Sequence, residues 1–272
     1  MDALSPLLER YALSARVFFA GALCDASAFS RQPGLGTLHV LRRGTLHVDQ
    51  ESGPRLTLAQ PSVLFFPEPY AHGFHVDPAA GADLVCAWID FGAGVGNPLL
   101  RGLPHLILAP LAHISGIEWA FDTLFGEAFA THLGRQAALN RLTEYILVLL
   151  LRHAMEAKLV QGSALAGLAD ARLCKAILAM HAQPEFPWSL ESLAKRAGMS
   201  RARFAAHFRT VTGATPLDYL TDWRIGIAQT LLKQGTPLKL VAPRVGYASS
   251  VAFTRAFARC VGITPTQWHA QS

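Results

Sequence analysis

The chain has 272 residues, 51% of them apolar and 16% charged, with a formal net charge of +5. That length allows two domains with cores of their own, and the apolar share excludes a disordered chain. The charge is unevenly divided: residues 170–272 hold 13 Lys and Arg against 5 Asp and Glu, whereas residues 1–169 hold 11 against 14. A basic C-terminal module joined to a mildly acidic one fits a polyanion binder with a separate regulatory domain, although a basic surface also serves solubility alone.

Met1 to Tyr11 reads as a short amphipathic helix with Leu4, Leu7 and Leu8 at helical spacing. Asp2, Glu9, Arg10 and Arg16 interrupt its apolar residues, so no secretory leader is expected. From there to Phe91 short β-like runs alternate with turn residues: Val17–Phe19, Gly36–Leu41, Thr45–Val48, Arg55–Leu58, Val63–Phe66, Ala71–Val76 and Leu84–Phe91. Strands at this spacing predict a sandwich or small barrel, with hairpins at Gly44 and Gly53. Ser115 to Lys158 then carries two helical patterns. The second, Leu139–Glu156, sets Leu142, Ile146, Leu149 and His153 on one face but is apolar elsewhere too. A helix of that kind must bury more than one side, under the β-domain, against a second copy of the chain, or both. Its longest apolar run, Tyr145–Leu151, is far short of the roughly 20 residues of a membrane span, and a cytoplasmic protein is expected. Gln161–Ala169 (QGSALAGLA) is small and nearly uncharged and reads as an interdomain linker, though its Leu and Ala content allows a helical turn.

The last hundred residues contain a duplication. LAKRAGMSRARFAAHFRTVTGATP at Leu193–Pro216 matches VAPRVGYASSVAFTRAFARCVGITP at Val241–Pro265 with one inserted residue. In each copy a short helix ends at a glycine, a serine stands near the start of the next helix, and two phenylalanines four residues apart fix its buried face. That is the pattern of a helix-turn-helix. Asp170 and Ser189 are placed to cap preceding helices, the latter with Glu191 in the first turn. Pro216 opens a long helix with Leu217, Leu220, Trp223, Ile227 and Leu231 as its expected apolar stripe. About 18 residues at 1.5 Å each make a rod of about 27 Å, enough to hold two reading heads about one DNA turn apart.

Two resemblances follow from these motifs. RRGTLHV at Arg42–Val48, VLFFPEPYAH at Val63–His72, and CAWIDFGAGVGNPLL at Cys86–Leu100 with Leu103-Pro104 make most of the first 110 residues resemble the cupin-like ligand-binding domain of AraC-type regulators. MHAQPEFPWSLESLAKRAGMSRARFAAHFRTVTGATPLDYLTDWRIGIAQTLL followed by VGYASSVAFTRAFARCVGITPTQW is similar, over about 100 residues, to the DNA-binding domain of the AraC/XylS family of bacterial transcription regulators. The resemblance implies an α+β multidomain protein: a cupin-like β-barrel or sandwich over 1–110, a helical dimerisation segment over 111–160, a linker over 161–169 and an all-α domain with two helix-turn-helix motifs over 170–272. It implies a transcription regulator, activator or repressor, rather than an enzyme. Its implied partners are promoter DNA, a second copy, RNA polymerase and a small-molecule or oxidant effector, with no resident cofactor.

Carried over from the family, the base-facing positions fall at Ala202, Ala205 and Ala206 in the first recognition helix and at Ser250, Val251, Thr254 and Arg255 in the second. Alanine touches a thymine methyl but cannot make the bidentate hydrogen bonds that discriminate by about 1–3 kcal/mol each. The first head is therefore expected to grip phosphates through Arg201, Arg203, His207 and Arg209, and the second to read bases, Arg255 foremost. Pro243, inside the helix that supports the second head, implies a kink or a late start.

In the N-terminal half His39 and His47 stand on different strands, and His72 and His75 fall on opposite faces of one strand, so the spacing supports no histidine metal site. Cys24, Cys86, Cys174 and Cys260 have no CxxC spacing. Cys24, Cys86 and His72 are the sensor candidates, with plain core packing as the alternative for the thiols. A constitutive DNA-binding protein whose β-domain serves only dimerisation, and a metal-dependent cupin enzyme, remain the competing readings.

Overall fold

The computed structural model describes residues 4–10, 13–92, 100 and 102–271 and divides the chain into two compact units. One is Tyr11–Val160. The other joins Met1–Arg10 to Gln161–Ser272.

Among the described residues the first unit is a β-sandwich of nine strands: β1 (Ser14–Leu23), β2 (Ser27–Phe29), β3 (Leu35–Arg43), β4 (Leu46–Gln50), β5 (Leu56–Leu58), β6 (Ser62–Phe66), β7 (His72–Val76), β8 (Ala82–Asp90) and β9 (Ile107–Pro110). Antiparallel pairing builds one sheet in the order β1-β8-β3-β6-β9 and a second in the order β2-β7-β4-β5. Each of the seven expected runs overlaps a strand, with Thr45, Arg55, Ala71 and Phe91 falling just outside, and β2 and β9 are additions. The two sheets differ in texture for a physical reason. In β4 and β7 buried and more exposed residues alternate, because the second sheet has one covered face. β3, β6 and β8 are buried almost throughout, since the first sheet is covered on both. Leu41, Leu64, Leu84 and Cys86 of the first sheet meet Leu46, Val48, Phe74 and Val76 of the second in one core.

The outer face of the first sheet carries α2 (Glu118–Ala128) and α3 (Arg135–Glu156), with Arg42 of β3 lying 5.0 Å and 4.5 Å from the rings of Phe125 and Phe129. Edge strand β1 is closed off by side chains of α3: Glu144 accepts from the Ala15 N–H at 3.1 Å, Asn140 from the Val17 N–H at 2.9 Å, and Gln136 donates to the Val17 carbonyl at 2.8 Å. Unpaired edge groups that invite another chain are thereby satisfied. The many-sided apolarity of α3 is used inside the chain, where Leu139, Ile146, Leu147, Leu149, Leu150, Leu151 and Ala154 are all buried. Leu142 and His153, expected on the buried stripe, are only half-buried, because the buried arc is centred nearer Leu139 and Leu150.

In the second unit the N-terminal helix is α1 (Ser5–Arg10), shorter than expected, with residues 1–3 and 11 of that expectation outside the described residues. It groups with the C-terminal unit and not with the β-domain to which its position in sequence assigned it. The stretch expected to be a linker is also part of this unit: Ser163 accepts from the Ala166 N–H and caps α4 (Ala164–Ala169), whose Leu165 and Leu168 are buried. Its small residues serve close packing. A Cβ at Gly167 would stand 2.5 Å from Ile177 Cδ1 and 2.8 Å from Thr212 Cγ2, so only glycine lets these segments approach.

Candidate functional site

After α5 (Leu173–Ala182) come α6 (Leu190–Arg196) and α7 (Arg201–Thr212), the long α8 (Pro216–Lys233), then α9 (Leu238–Arg244), α10 (Ser250–Val261) and α11 (Pro265–Gln271). The helix pairs α6–α7 and α9–α10 are built alike. Gly198 and Gly246 take φ of 64° and 81°, and behind them Met199 and Tyr247 donate backbone N–H groups to Ala194 and Ala242. These are the bonds of a glycine-terminated helix end. α7 and α10 each run 12 residues to a left-handed glycine, Gly213 and Gly262. Phe204, Phe208, Phe253 and Phe257 are fully buried, their rings 5.5 Å apart in the first copy and 5.8 Å in the second.

Ser189 caps α6 in a capping box with Ser192, and Glu191 stands in the first turn as expected. Two local expectations need correction. Ser200 makes no side-chain cap bond, whereas Ser249 accepts from the Ala252 N–H. On α8 the buried residues are Pro216, Tyr219, Leu220, Trp223, Ile225, Ala228 and Leu232, and Leu217 is 46% exposed; the stripe is rotated by about one residue from the expected one. Pro243 falls in the last turn of the seven-residue α9, where it removes the bond to the Lys239 carbonyl but leaves little helix beyond it to kink.

On the outward faces Arg201, Ala202, Arg203, Ala206 and Arg209 are exposed and Ala205 is half-buried; in the second copy Ser250, Val251 and Arg255 are exposed and Thr254 is half-buried. His207 is not free to swing: its Nε2 lies 2.7 Å from Asp170 Oδ2, while Asp170 Oδ1 accepts from the Arg172 and Leu173 N–H groups. Burial pushes the Asp170 carboxyl up, but the Leu173 amide, His207 and the Arg172 amide together hold it below the usual range. Asp170 thus ties the start of α5 to α7. A cleft of about 580 Å³ beside it is lined by Arg172, Met199, Arg203, Ala206, His207 and Thr210. Arg172 was missed in the sequence, because it lies outside the duplicated stretch.

In the sandwich His39 and His72 come together with their Nε2 atoms 2.8 Å apart. They are 33 residues apart in sequence and on different sheets. The Tyr70 carbonyl can only accept, so neutral His72 donates to it from Nδ1 at 3.1 Å and keeps a lone pair on Nε2. His39 then donates from Nε2, which leaves its buried Nδ1 lone pair with no hydrogen-bond partner among the described residues. Burial lowers the pKa of His72 to about 4, against the Tyr70 carbonyl, and that of His39 well below its ordinary value with the His72 charge adding to the effect. His75 points away on the exposed side of β7.

Next to the pair opens a cleft of about 280 Å³ lined by Phe18, Phe19, Leu23, Ser27, Ala28, Phe29, Leu84 and Cys86. The Phe29 ring forms its wall and also stands 5.1 Å from His39 and 5.0 Å from His72. Cys86 pairs in register with His39, is buried, and its thiol is pushed far up by burial. Cys24 is exposed and follows Leu23, which pairs with Ala82, while Cys86 pairs with Phe19. The thiols are therefore roughly 13–16 Å apart along the strands, whereas a disulfide spans Cα atoms about 4.4–6.8 Å apart. Among the described residues no three His, Cys, Asp or Glu side chains are gathered to hold a metal ion, and no helix is long and apolar enough to cross a membrane.

Comparison with known proteins gives two family matches: a family described as Cupin over residues 2–156 and one described as Helix-turn-helix domain over residues 193–271. Proteins of Streptomyces antibioticus and Streptomyces lividans, named as AraC-like transcription regulators, are 32% and 33% identical over 190 residues, 67% of this chain and 61% of theirs. The chain thus matches about three fifths of the length of these curated relatives. The RCS-specific HTH-type transcriptional activator RclR of Escherichia coli K12 is 33% identical over 236 residues, 85% of this chain and 82% of its own.

Proposed function

Because the chain belongs to the family of AraC-like transcription regulators, we propose that it binds promoter DNA with α7 and α10 in successive major grooves and that a small apolar molecule in the β-domain controls it. The duplicated helix-turn-helix carries the first part. Two recognition helices of equal length present their unburied faces, and Arg201, Arg203, Arg209 and Arg255 make no ion pair among the described residues, which leaves them to phosphates and bases. Activation, contact with RNA polymerase and dimerisation belong to this reading; exposed Trp119 and Tyr145, in edge contact on α2 and α3, offer a second copy an aromatic patch.

The observation that favours a small molecule over an oxidant is the cleft at Phe29. Its volume lies just under the range of about 300–1,000 Å³ common for small-molecule sites, and its lining is of apolar side chains with Ser27 and Cys86 among them. A redox signal is less favoured, because the buried Cys86 thiol is held protonated and is not aligned with Cys24. Trp88 stacks on Phe18 at 4.3 Å and so reports on the cleft. Phenol, indole and short alkanols titrated into the full chain should change Trp88 emission and operator affinity together, and both responses should be lost in Phe29→Ala. An operator affinity unmoved by every such compound, but altered by hypochlorite or peroxide and insensitive again in Cys24→Ser or Cys86→Ser, contradicts the small-molecule reading in favour of the redox one.

A further inference from the structure

α8 is shared by both helix-turn-helix halves: its N-terminal part holds the first through Tyr219, 5.6 Å from the Phe208 ring, and its C-terminal part holds the second through the cluster of Ile225, Ala228, Leu232, Val241, Phe253 and Phe257. A shared helix alone leaves the halves free to rock about it, since each half has its own core. One side chain spans them. Arg224 of α8 donates from Nε to the Pro184 carbonyl at 2.6 Å and from Nη2 to the Phe186 carbonyl at 2.9 Å, both in the α5–α6 loop of the first half. Its guanidinium also stands 5.7 Å from the ring of Tyr247, in the α9–α10 turn of the second.

Both ends of this contact are anchored. Trp188 ties the loop by donating to the Gln183 carbonyl at 2.8 Å and lies 5.5 Å below the guanidinium of Arg196 on α6. Tyr247 packs 5.7 Å from Phe253 on the second recognition helix. The backbones meet here as well: a Cβ at Gly246 would stand 2.8 Å from Glu185 Cα and 2.7 Å from Arg224 Nη2, and at φ of 81° only glycine sits without strain. A continuous row of contacts thus runs from α6 through Arg224 to α10.

We propose that Arg224 is a positioning residue that fixes the distance and rotation between the two reading heads and so sets the spacing of half-sites the protein accepts on DNA. The geometry is specific to arginine, whose planar fork donates in two directions while stacking on a ring; a lysine would donate from a single point. The inference rests on the two-headed reading above. A rigid pair of heads tolerates one spacing, because each added base pair displaces the second half-site by about 3.4 Å and rotates it by about 35°. A pair released from its brace tolerates several.

The test uses the full-length chain and a site selected by the wild type from random duplexes, with its two half-sites located by footprinting and the spacer varied by one base pair either way. Wild type should lose about tenfold or more at each altered spacer, the scale of a lost base contact. Arg224→Met, which keeps the stem and removes the donors, should bind more weakly at the native spacer and flatten the dependence to about threefold or less. Tyr247→Leu, which leaves the loop bonds intact, should flatten it partway, and Arg224→Lys should resemble Arg224→Met. If Arg224→Met does not fold, Tyr247→Leu alone carries the comparison. A purely structural residue would lower the melting temperature and leave the ratio between spacers as in wild type, and that result overturns the proposal. A wild type with no spacer dependence overturns it differently, by removing the two-headed reading on which it rests.

Discussion

The two helix-turn-helix halves are one scaffold used twice, and their differences are more instructive than their likeness. Both end the supporting helix at a left-handed glycine, bury two phenylalanines of a 12-residue recognition helix and stop it at another glycine. Outside that frame they diverge. α7 presents Ala202 and Ala206 between Arg201, Arg203 and Arg209, and His207 is bound to Asp170. α10 presents Ser250, Val251, Thr254 and Arg255 with no comparable ion pair among the described residues, and its start is held by the Ser249 cap, which α7 lacks. Folding constrains the inner face of each helix, and only the outer face is free to take up gripping in one copy and reading in the other.

If the scaffold is common, the largest effects should be equal in both halves. Phe208→Ala and Phe257→Ala remove rings of the same burial and should each cost about 3–5 kcal/mol in denaturant unfolding. A large difference between them would break the equivalence and show that one half leans on the other. A smaller and asymmetric pair sharpens the comparison. Ser249→Ala removes a cap and should cost about 1 kcal/mol, while Ser200→Ala should be close to neutral because no cap bond is lost. Equal losses on thermal melting would mean that Ser200 caps α7 in solution.

The duplicated half was legible because its signals are local: Gly, Pro and paired Phe positions act within one or two turns of chain. The β-domain was legible where strands alternate or run apolar. β2 and β9, three and four residues long on sheet edges, have too little length for either pattern, and residues 93–99 ahead of β9 lie outside the described ones. The resemblance drawn on CAWIDFGAGVGNPLL extends into those residues. The His39–His72 pair could not be read from spacing, since it is made by two sheets closing on each other; the correct inference that His72 and His75 face apart gave no hint that His72 would meet His39. At α4 the sequence left linker and helical turn both open, because small residues mean flexibility in a free chain and close approach in a packed one, and Gly167 against Ile177 is the second case. The bracing role of Arg224 was hidden for a related reason: the carbonyls it binds lie 38 to 40 residues away.

Division of labour between the heads is tested most directly by measuring the affinity of Arg255→Ala and Arg203→Ala for the selected site and for a scrambled duplex over a range of salt. Arg255→Ala should lose about 1–3 kcal/mol on the selected site and much less on the scrambled one. Arg203→Ala should weaken both alike and lower the salt slope by about one, the loss of a single phosphate contact. Equal loss on both duplexes for Arg255→Ala, with selective loss for Arg203→Ala, would contradict the assignment and make the first head the reader.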